Sequence, residues 1–265
     1  MNSQRRGPLP LWQEHVTAAY CIYSEMSEWR TACKAFRVLH EKVPGFDMEA
    51  ALLKVVAVNQ LYGTNVYAVV RMAKHVADIA EIITNAAEDP AEVIRRIAAL
   101  PPGPGQRPRN HWAFASKFAH FFIAPEMERF PIYDSYALST LRYHLGRHPI
   151  APEDGNIYRA FLRDLRELRE ASPEVRYSAT ELDRYLWLSG LYAEYGRRGE
   201  EAAINADAKR LFRDRPAWIS DALDVISRRR QRPQPDVCLA SAVELGGGSQ
   251  PPALRFANCA TSWDS

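Results

Sequence analysis

The chain has 265 residues, of which 47% are hydrophobic and 25% charged, with 34 Lys and Arg against 32 Asp and Glu for a formal net charge of +2. This composition excludes a chain disordered throughout and gives one large domain, or two small lobes sharing a cleft, plus tails. A charge this close to neutral means that any nucleic-acid face must come from local clustering of basic residues.

Met1–Pro8 carries charge with no apolar run after it, so it does not read as a secretory signal, and a cytoplasmic location of bacterial type is expected. Helical periodicity then runs almost without interruption. It predicts helices over 11–26, 28–42, 47–61, 65–85, 90–100, 111–123, 135–146, 155–171, 179–197, 200–213 and 217–230, hence an all-α fold. The only strand-like approach is Phe130–Tyr133. Ala50–Asn59 is interrupted by Lys54 and no stretch reaches the ~20 apolar residues of a membrane span, so no membrane partner is expected.

Start and stop signals support several of these helices. Thr64-Asn65 precedes an apolar run, Asp89-Pro90 places proline at a first helical position, and Ser178-Ala-Thr-Glu181 fits a capping box. Pro101–Pro108 is a break. After Arg230 the helical period is lost, so residues 1–230 read as the helical domain and 231–265 as a disordered tail. Cys21, Cys33, Cys238 and Cys259 are widely spaced without a CxxC pair. They read as free buried thiols, and neither a metal nor a cofactor is expected.

The most informative segment is His111-Trp-Ala-Phe-Ala-Ser-Lys117-Phe-Ala-His120-Phe121, followed by Phe130-Pro-Ile-Tyr-Asp134-Ser-Tyr136. On a helix Lys117 shares a face with Ala113, Phe114, His120 and Phe121. A lysine on an apolar face is uncommon: its stem packs while its head snorkels to water, or its amine serves as a nucleophile. Asp134 stands where an extended segment meets a new helix, so it is an N-cap or a carboxylate poised at a helix N-terminus. Lys117 and Asp134 are 17 positions apart. A helix outward by ~11 Å and a loop returning at ~3.3 Å per residue can bring the two charges together.

This segment resembles the helix-hairpin-helix DNA glycosylase superfamily, in particular its 8-oxoguanine-glycosylase-like branch, which also takes in antiphage glycosylase-like proteins. There a lysine opens the helix after the hairpin and an aspartate follows about eighteen residues later. The resemblance implies a two-lobed helical bundle with a cleft, Lys117 as Schiff-base nucleophile and Asp134 as electrostatic and acid/base partner. The segment Ala51–Lys74 is similar to the family's paired helices, whose loop fills the gap left by an extruded base; Asn59, Gln60, Tyr62, Thr64 and Asn65 occupy it here, with an αα-corner capped by Gly63 as the plain alternative. A base pocket is implied at His120, Phe121, Asp183, Tyr185 and Trp187, although aromatic residues at this spacing also serve as core.

Two departures stand out. The glycine-containing hairpin expected before the lysine is replaced by Phe114-Ala-Ser116, with Leu100-Pro-Pro-Gly-Pro-Gly105 further upstream, and the cysteines of the cluster-bearing branch are absent. The resemblance implies excision of a modified base from double-stranded DNA, of 8-oxoguanine type or a hypermodified phage base such as glucosylated hydroxymethylcytosine. It also implies association with the nucleoid when DNA is bound, and no obligatory protein partner is evident. A glycosylase-like module that binds DNA without cutting it, and a helical protein-interaction domain, are the alternatives.

Overall fold

A computed structural model describes residues 8–85, 87–105, 107–125, 128–147 and 154–227; the 231–265 segment, Cys238 and Cys259 lie outside them. The described part is all-α apart from two two-residue strands. The helices are α1 (Gln13–Glu25), α2 (Ser27–Lys42), α3 (Met48–Tyr62), α4 (Val69–Asp78), α5 (Ala80–Ile83), α6 (Pro90–Ala98), α7 (Trp112–Phe122), α8 (Ser135–Leu145), α9 (Ile157–Glu170), α10 (Ala179–Arg198), α11 (Ala206–Arg213) and α12 (Ala217–Ser227).

Most predicted spans are found within a few residues, and the differences have local causes. The predicted 65–85 helix begins only at Val69 and breaks at Ile79. Thr64 and Asn65 do not cap it: Thr64 Oγ1 donates to Asn59 Oδ1 at 2.9 Å, and Asn65 takes a left-handed φ of 56°. Gly63 does end α3 in the left-handed conformation. The capping box of α10 is present: Ser178 Oγ accepts from the Glu181 N–H at 3.2 Å, and the Glu181 carboxylate accepts from the Ser178 N–H at 2.8 Å. Phe130–Tyr133 forms no helix and pairs with no strand, leading directly to the extended N-cap Asp134. The strands instead flank the proline-rich break, β1 (Ala99–Leu100) antiparallel to β2 (Arg109–Asn110).

The helices fall into two packing groups. Helices α2 to α7 pack among themselves. Helices α1, α8, α10 and α12 pack on one another, with α9 against α8 and α11 against α10, and α6–α9 contacts join the groups. The N-terminus is tied into the second group. Leu9 and His144 exchange two hydrogen bonds (Leu9 N–H to the His144 carbonyl at 2.7 Å, and His144 Nδ1 to the Leu9 carbonyl at 2.9 Å), and the Leu11 N–H donates to Ser172 Oγ at 2.7 Å. Helix α8 crosses α10 closely, and Thr140 Oγ1 donates to the Leu186 carbonyl at 2.9 Å. That contact fixes where Asp134, at the head of α8, stands relative to Asp183 and Trp187 on α10. No described helix is long and apolar enough to cross a membrane.

Candidate active site

Lys117 and Asp134 are brought together. Lys117 Nζ lies 3.5 Å from Asp134 Oδ2, and the two residues are 7% and 8% exposed. Helix α7 carries Lys117 in its middle turn, and the chain returns through Pro131-Ile-Tyr to the N-cap of α8. Asp134 divides its oxygens: Oδ1 accepts from the N–H groups of Tyr136 (3.0 Å) and Ala137 (2.9 Å), leaving Oδ2 toward the lysine. It is both a helix cap and a carboxylate held at a helix N-terminus. Ser116 braces the returning segment, its Oγ accepting from the Tyr133 N–H at 3.0 Å.

A cavity of about 80 Å³ lies where the two packing groups meet. Tyr62, His120 and Phe121 line it from one group; Asp134, Asp183 and Trp187 line it from the other. Lys117 stands beside this lining, with its ammonium 5.1 Å from the Tyr62 ring centre. Burial pushes the Tyr62 phenol well above its ordinary range, with Cys33, Tyr23 and Asp134 adding to the shift.

His120 and Asp183 form the polar floor. His120 Nδ1 is 3.0 Å from the Phe130 carbonyl, which can only accept, so Nδ1 carries the proton. Burial holds the His120 imidazole below its ordinary value, opposed by that hydrogen bond and by Glu128. Asp183 Oδ2 accepts the Ile132 N–H at 3.1 Å, and its Oδ1 has no partner among the described residues. Burial pushes the Asp183 carboxyl well above the usual range; the Ile132 N–H and, more weakly, Arg184 oppose this, while Asp134 and Glu128 reinforce it. Glu128 in turn anchors the start of α10 by accepting from the Ala179 N–H and Thr180 Oγ1, both at 2.8 Å.

Other expected site residues are placed differently. Tyr185 does not line the cavity. Two residues from Asp183 it points about 200° around α10, where it is fully buried, bonds His144 Nε2 at 2.7 Å and stacks on His15 at 5.3 Å. Tyr62 is no free wedge: its ring packs on Trp29 (4.9 Å), Phe121 (5.6 Å) and Phe36 (5.7 Å). Asn59 is consumed in holding the loop, donating to the Val66 carbonyl at 3.2 Å and accepting from Thr64 and from the Val66 N–H at 2.9 Å. Gln60 and Asn65 are exposed. Cys21 and Cys33 are free but only half-buried, not the buried thiols expected.

Several site features escaped sequence reasoning. Tyr23, Trp29 and Cys33 complete the cavity, and Tyr23 Oη lies 3.2 Å from Cys33 Sγ. Trp29, Cys33 and Phe36 recur at helical spacing along α2, a signal that reads equally as core. Leu100–Gly105 lies in the α6–α7 connection, whose ends are drawn together by β1–β2 pairing and by the His111 N–H donating to the Ala98 carbonyl at 2.9 Å. Beside the N-terminus of α7, His111 is held below its ordinary value first by burial and then by Arg109 and Arg71. His111, the N-cap of α7, lies about 9 Å of helix rise from Lys117. Lys54 is a second interior lysine, held by a different partner: Nζ donates to the Gly45 carbonyl at 2.7 Å over the Phe46 ring.

Residues 15–127 match the HI_0787_N family model, described as an N-terminal domain. A Haemophilus influenzae relative, described as an uncharacterized protein, is 30% identical over 135 residues, or 50% of this chain and 62% of its own length. The chain therefore covers less than two thirds of that relative. The family match includes Lys117 and stops before Asp134. No solved structure matches.

Proposed function

We propose that this protein is a DNA glycosylase that extrudes a modified base from double-stranded DNA and excises it, with the two helix groups as the lobes of a helix-hairpin-helix-type bundle. The observation that carries this reading is the Lys117–Asp134 pair, 3.5 Å apart beside a cavity walled by aromatic rings and floored by His120 and Asp183. Its substrates are 8-oxoguanine-type lesions or hypermodified phage bases such as glucosylated hydroxymethylcytosine.

The chemistry follows from the pair. An extruded base needs a pocket with flat apolar walls and polar groups for its edge. Tyr62, Phe121 and Trp187 supply the walls; Asp183 and His120 supply the edge contacts. Cleavage of the C1′–N bond sends its electron pair out with the base, which takes up a proton, and leaves positive charge on the sugar. Lys117 gives that proton to the departing base, Asp134 Oδ2 stays ionised and stabilises the sugar cation, and the freed amine bonds C1′; Asp134 then takes the proton this nitrogen sheds and passes it to the ring oxygen. Ring opening then gives an imine, from which strand cleavage can proceed by elimination. The basic cluster of Arg71, Arg109 and His111 at the α7 N-terminus, with the glycine-containing connection next to it, supports a phosphate contact.

The test is mass spectrometry of bases released from genomic and phage DNAs and from duplexes carrying single modified bases. Release of a defined base by the native chain, lost in Asp134→Asn, is expected. DNA binding without release from any substrate would contradict the reading.

A further inference from the structure

The Asp183 carboxyl is built unlike an ion-pair partner. It lines the cavity on α10 with its side chain 9% exposed. Oδ2 accepts one backbone N–H, from Ile132, and Oδ1 accepts from no described residue. The groups facing it from the neighbouring elements compensate its charge only in small part. His120 of α7 lies 3.8 Å away at Nδ1, but its proton is committed to the Phe130 carbonyl. Glu128 and Asp134 add negative charge from the segment leading into α8, and Tyr158 of α9 is a neutral phenol. Arg184, next to it on α10, is laid over the Tyr23 ring at 4.3 Å, and its charge lowers the Asp183 carboxyl least of the influences on it. The ammonium of Lys117 is drawn to Asp134 instead. A buried carboxylate so placed is costly, whereas a neutral carboxylic acid is not.

A neutral acid offers a donor and an acceptor side by side. We propose that Asp183 holds its ligand as a neutral carboxylic acid, Oδ1–H donating to a ring-nitrogen or carbonyl acceptor and Oδ2 accepting from the adjacent N–H, so that the cavity selects heterocycles with a donor–acceptor edge. This rests on the reading of the cavity as a base pocket. Both amidine edges, as in cytosine and adenine, and lactam edges, as in guanine and thymine, have this pattern. A two-donor or cationic edge does not, and would call for the carboxylate. An asparagine amide presents the same donor and acceptor as the neutral acid and cannot ionise. Asp183→Asn therefore separates the two states, and the raised Asp183 carboxyl supplies a pH readout that a purely structural role does not move.

Calorimetric binding of deoxycytidine, deoxyadenosine, deoxyguanosine and thymidine to the full chain tests this. N4,N4-dimethyldeoxycytidine and 3-methylthymidine, both neutral, serve as the edge-blocked controls for the amidine and lactam edges. Saturable binding to at least one unblocked nucleoside is expected, and the panel shows whether the amidine or the lactam edge is preferred. Blocking the edge or substituting Asp183→Leu should weaken binding by about tenfold or more. Native binding should weaken as pH rises through the titration of Asp183, while Asp183→Asn binds at all pH values within about twofold of the native low-pH level. Failure of every nucleoside to bind, indifference to edge blocking, or binding that strengthens with pH and is abolished in Asp183→Asn would each overturn the proposal. Base release from duplex DNA is scored separately. Nucleoside binding of the expected kind without release leaves the donor–acceptor site standing and removes excision; release with the opposite pH dependence does the reverse.

Discussion

Gly190 of α10 lies against the backbone of Tyr136 so closely that a Cβ at Gly190 would stand 2.4 Å from the Tyr136 carbonyl oxygen and 2.8 Å from its Cα. No side-chain rotation relieves a clash with backbone. The contact seats α8 on α10 and so fixes Asp134, two residues before Tyr136, relative to Asp183 and Trp187. Gly190→Ala should cost about 3 kcal/mol and lower the melting temperature by roughly 6–12 °C. An unchanged melting curve would show that the helices do not meet this way.

Asp134→Asn should separate cap from chemistry. Asparagine keeps an oxygen for the Tyr136 and Ala137 N–H groups, so stability should change by less than about 1 kcal/mol. Base excision should fall by orders of magnitude while DNA binding survives. A well-folded Asp134→Asn protein with near-native excision would reduce Asp134 to a helix cap.

The 59–67 loop should respond residue by residue. Asn59→Ala removes three hydrogen bonds and orphans the buried Val66 N–H, a loss of about 1–3 kcal/mol in denaturant unfolding. Gln60→Ala, at an exposed position, should leave stability within about 0.5 kcal/mol and slow excision from duplex more than from single strands. Equal effects of Gln60→Ala on the two substrates would remove this loop from base extrusion.

Trp187 and Tyr185 should part company although they are two residues apart. Tyr185→Phe strips His144 Nε2 of its 2.7 Å partner and should cost about 1–3 kcal/mol with excision per folded molecule unchanged. Trp187→Ala removes a cavity wall and should impair excision directly. Steady-state rates normalised to the folded fraction check both, and an excision defect in Tyr185→Phe would contradict the placement.

Stability should also depend on pH through Asp183. Its folded carboxyl is raised above the ordinary value, so the folded state holds a proton that the unfolded chain releases. The stabilisation it contributes is complete below the ordinary carboxylate range and is lost as pH rises through the folded value. Asp183→Asn should therefore gain on the native chain as pH increases in urea titrations. A gain confined to acid pH would show a depressed carboxyl instead.

How much of this was legible in the sequence follows from the range of the forces involved. Helix existence is local, and the Ser178–Glu181 box and the Gly63 stop were readable because caps act within one turn. The Lys117–Asp134 approach was readable because a helix and a short return loop constrain the distance between residues 17 apart. Tyr185 was misplaced because aromatic composition was weighed without turning the helix: only 183 and 187 share a face. Tyr23 of α1 and Trp29 and Cys33 of α2 escape a local reading because these helices meet the cavity through long-range packing that no local pattern announces. The start of α4 slipped because Asn59, five residues before Thr64, competes for its hydroxyl.

The central claim, that Lys117 works as a nucleophile with Asp134, is tested most directly by borohydride reduction during turnover on a substrate from which base release has been established. A covalent protein–DNA adduct mapping to Lys117, absent in both Lys117→Gln and Lys117→Arg, is the predicted result. Base release without any adduct in the native protein, or an adduct that persists in Lys117→Gln, would contradict it.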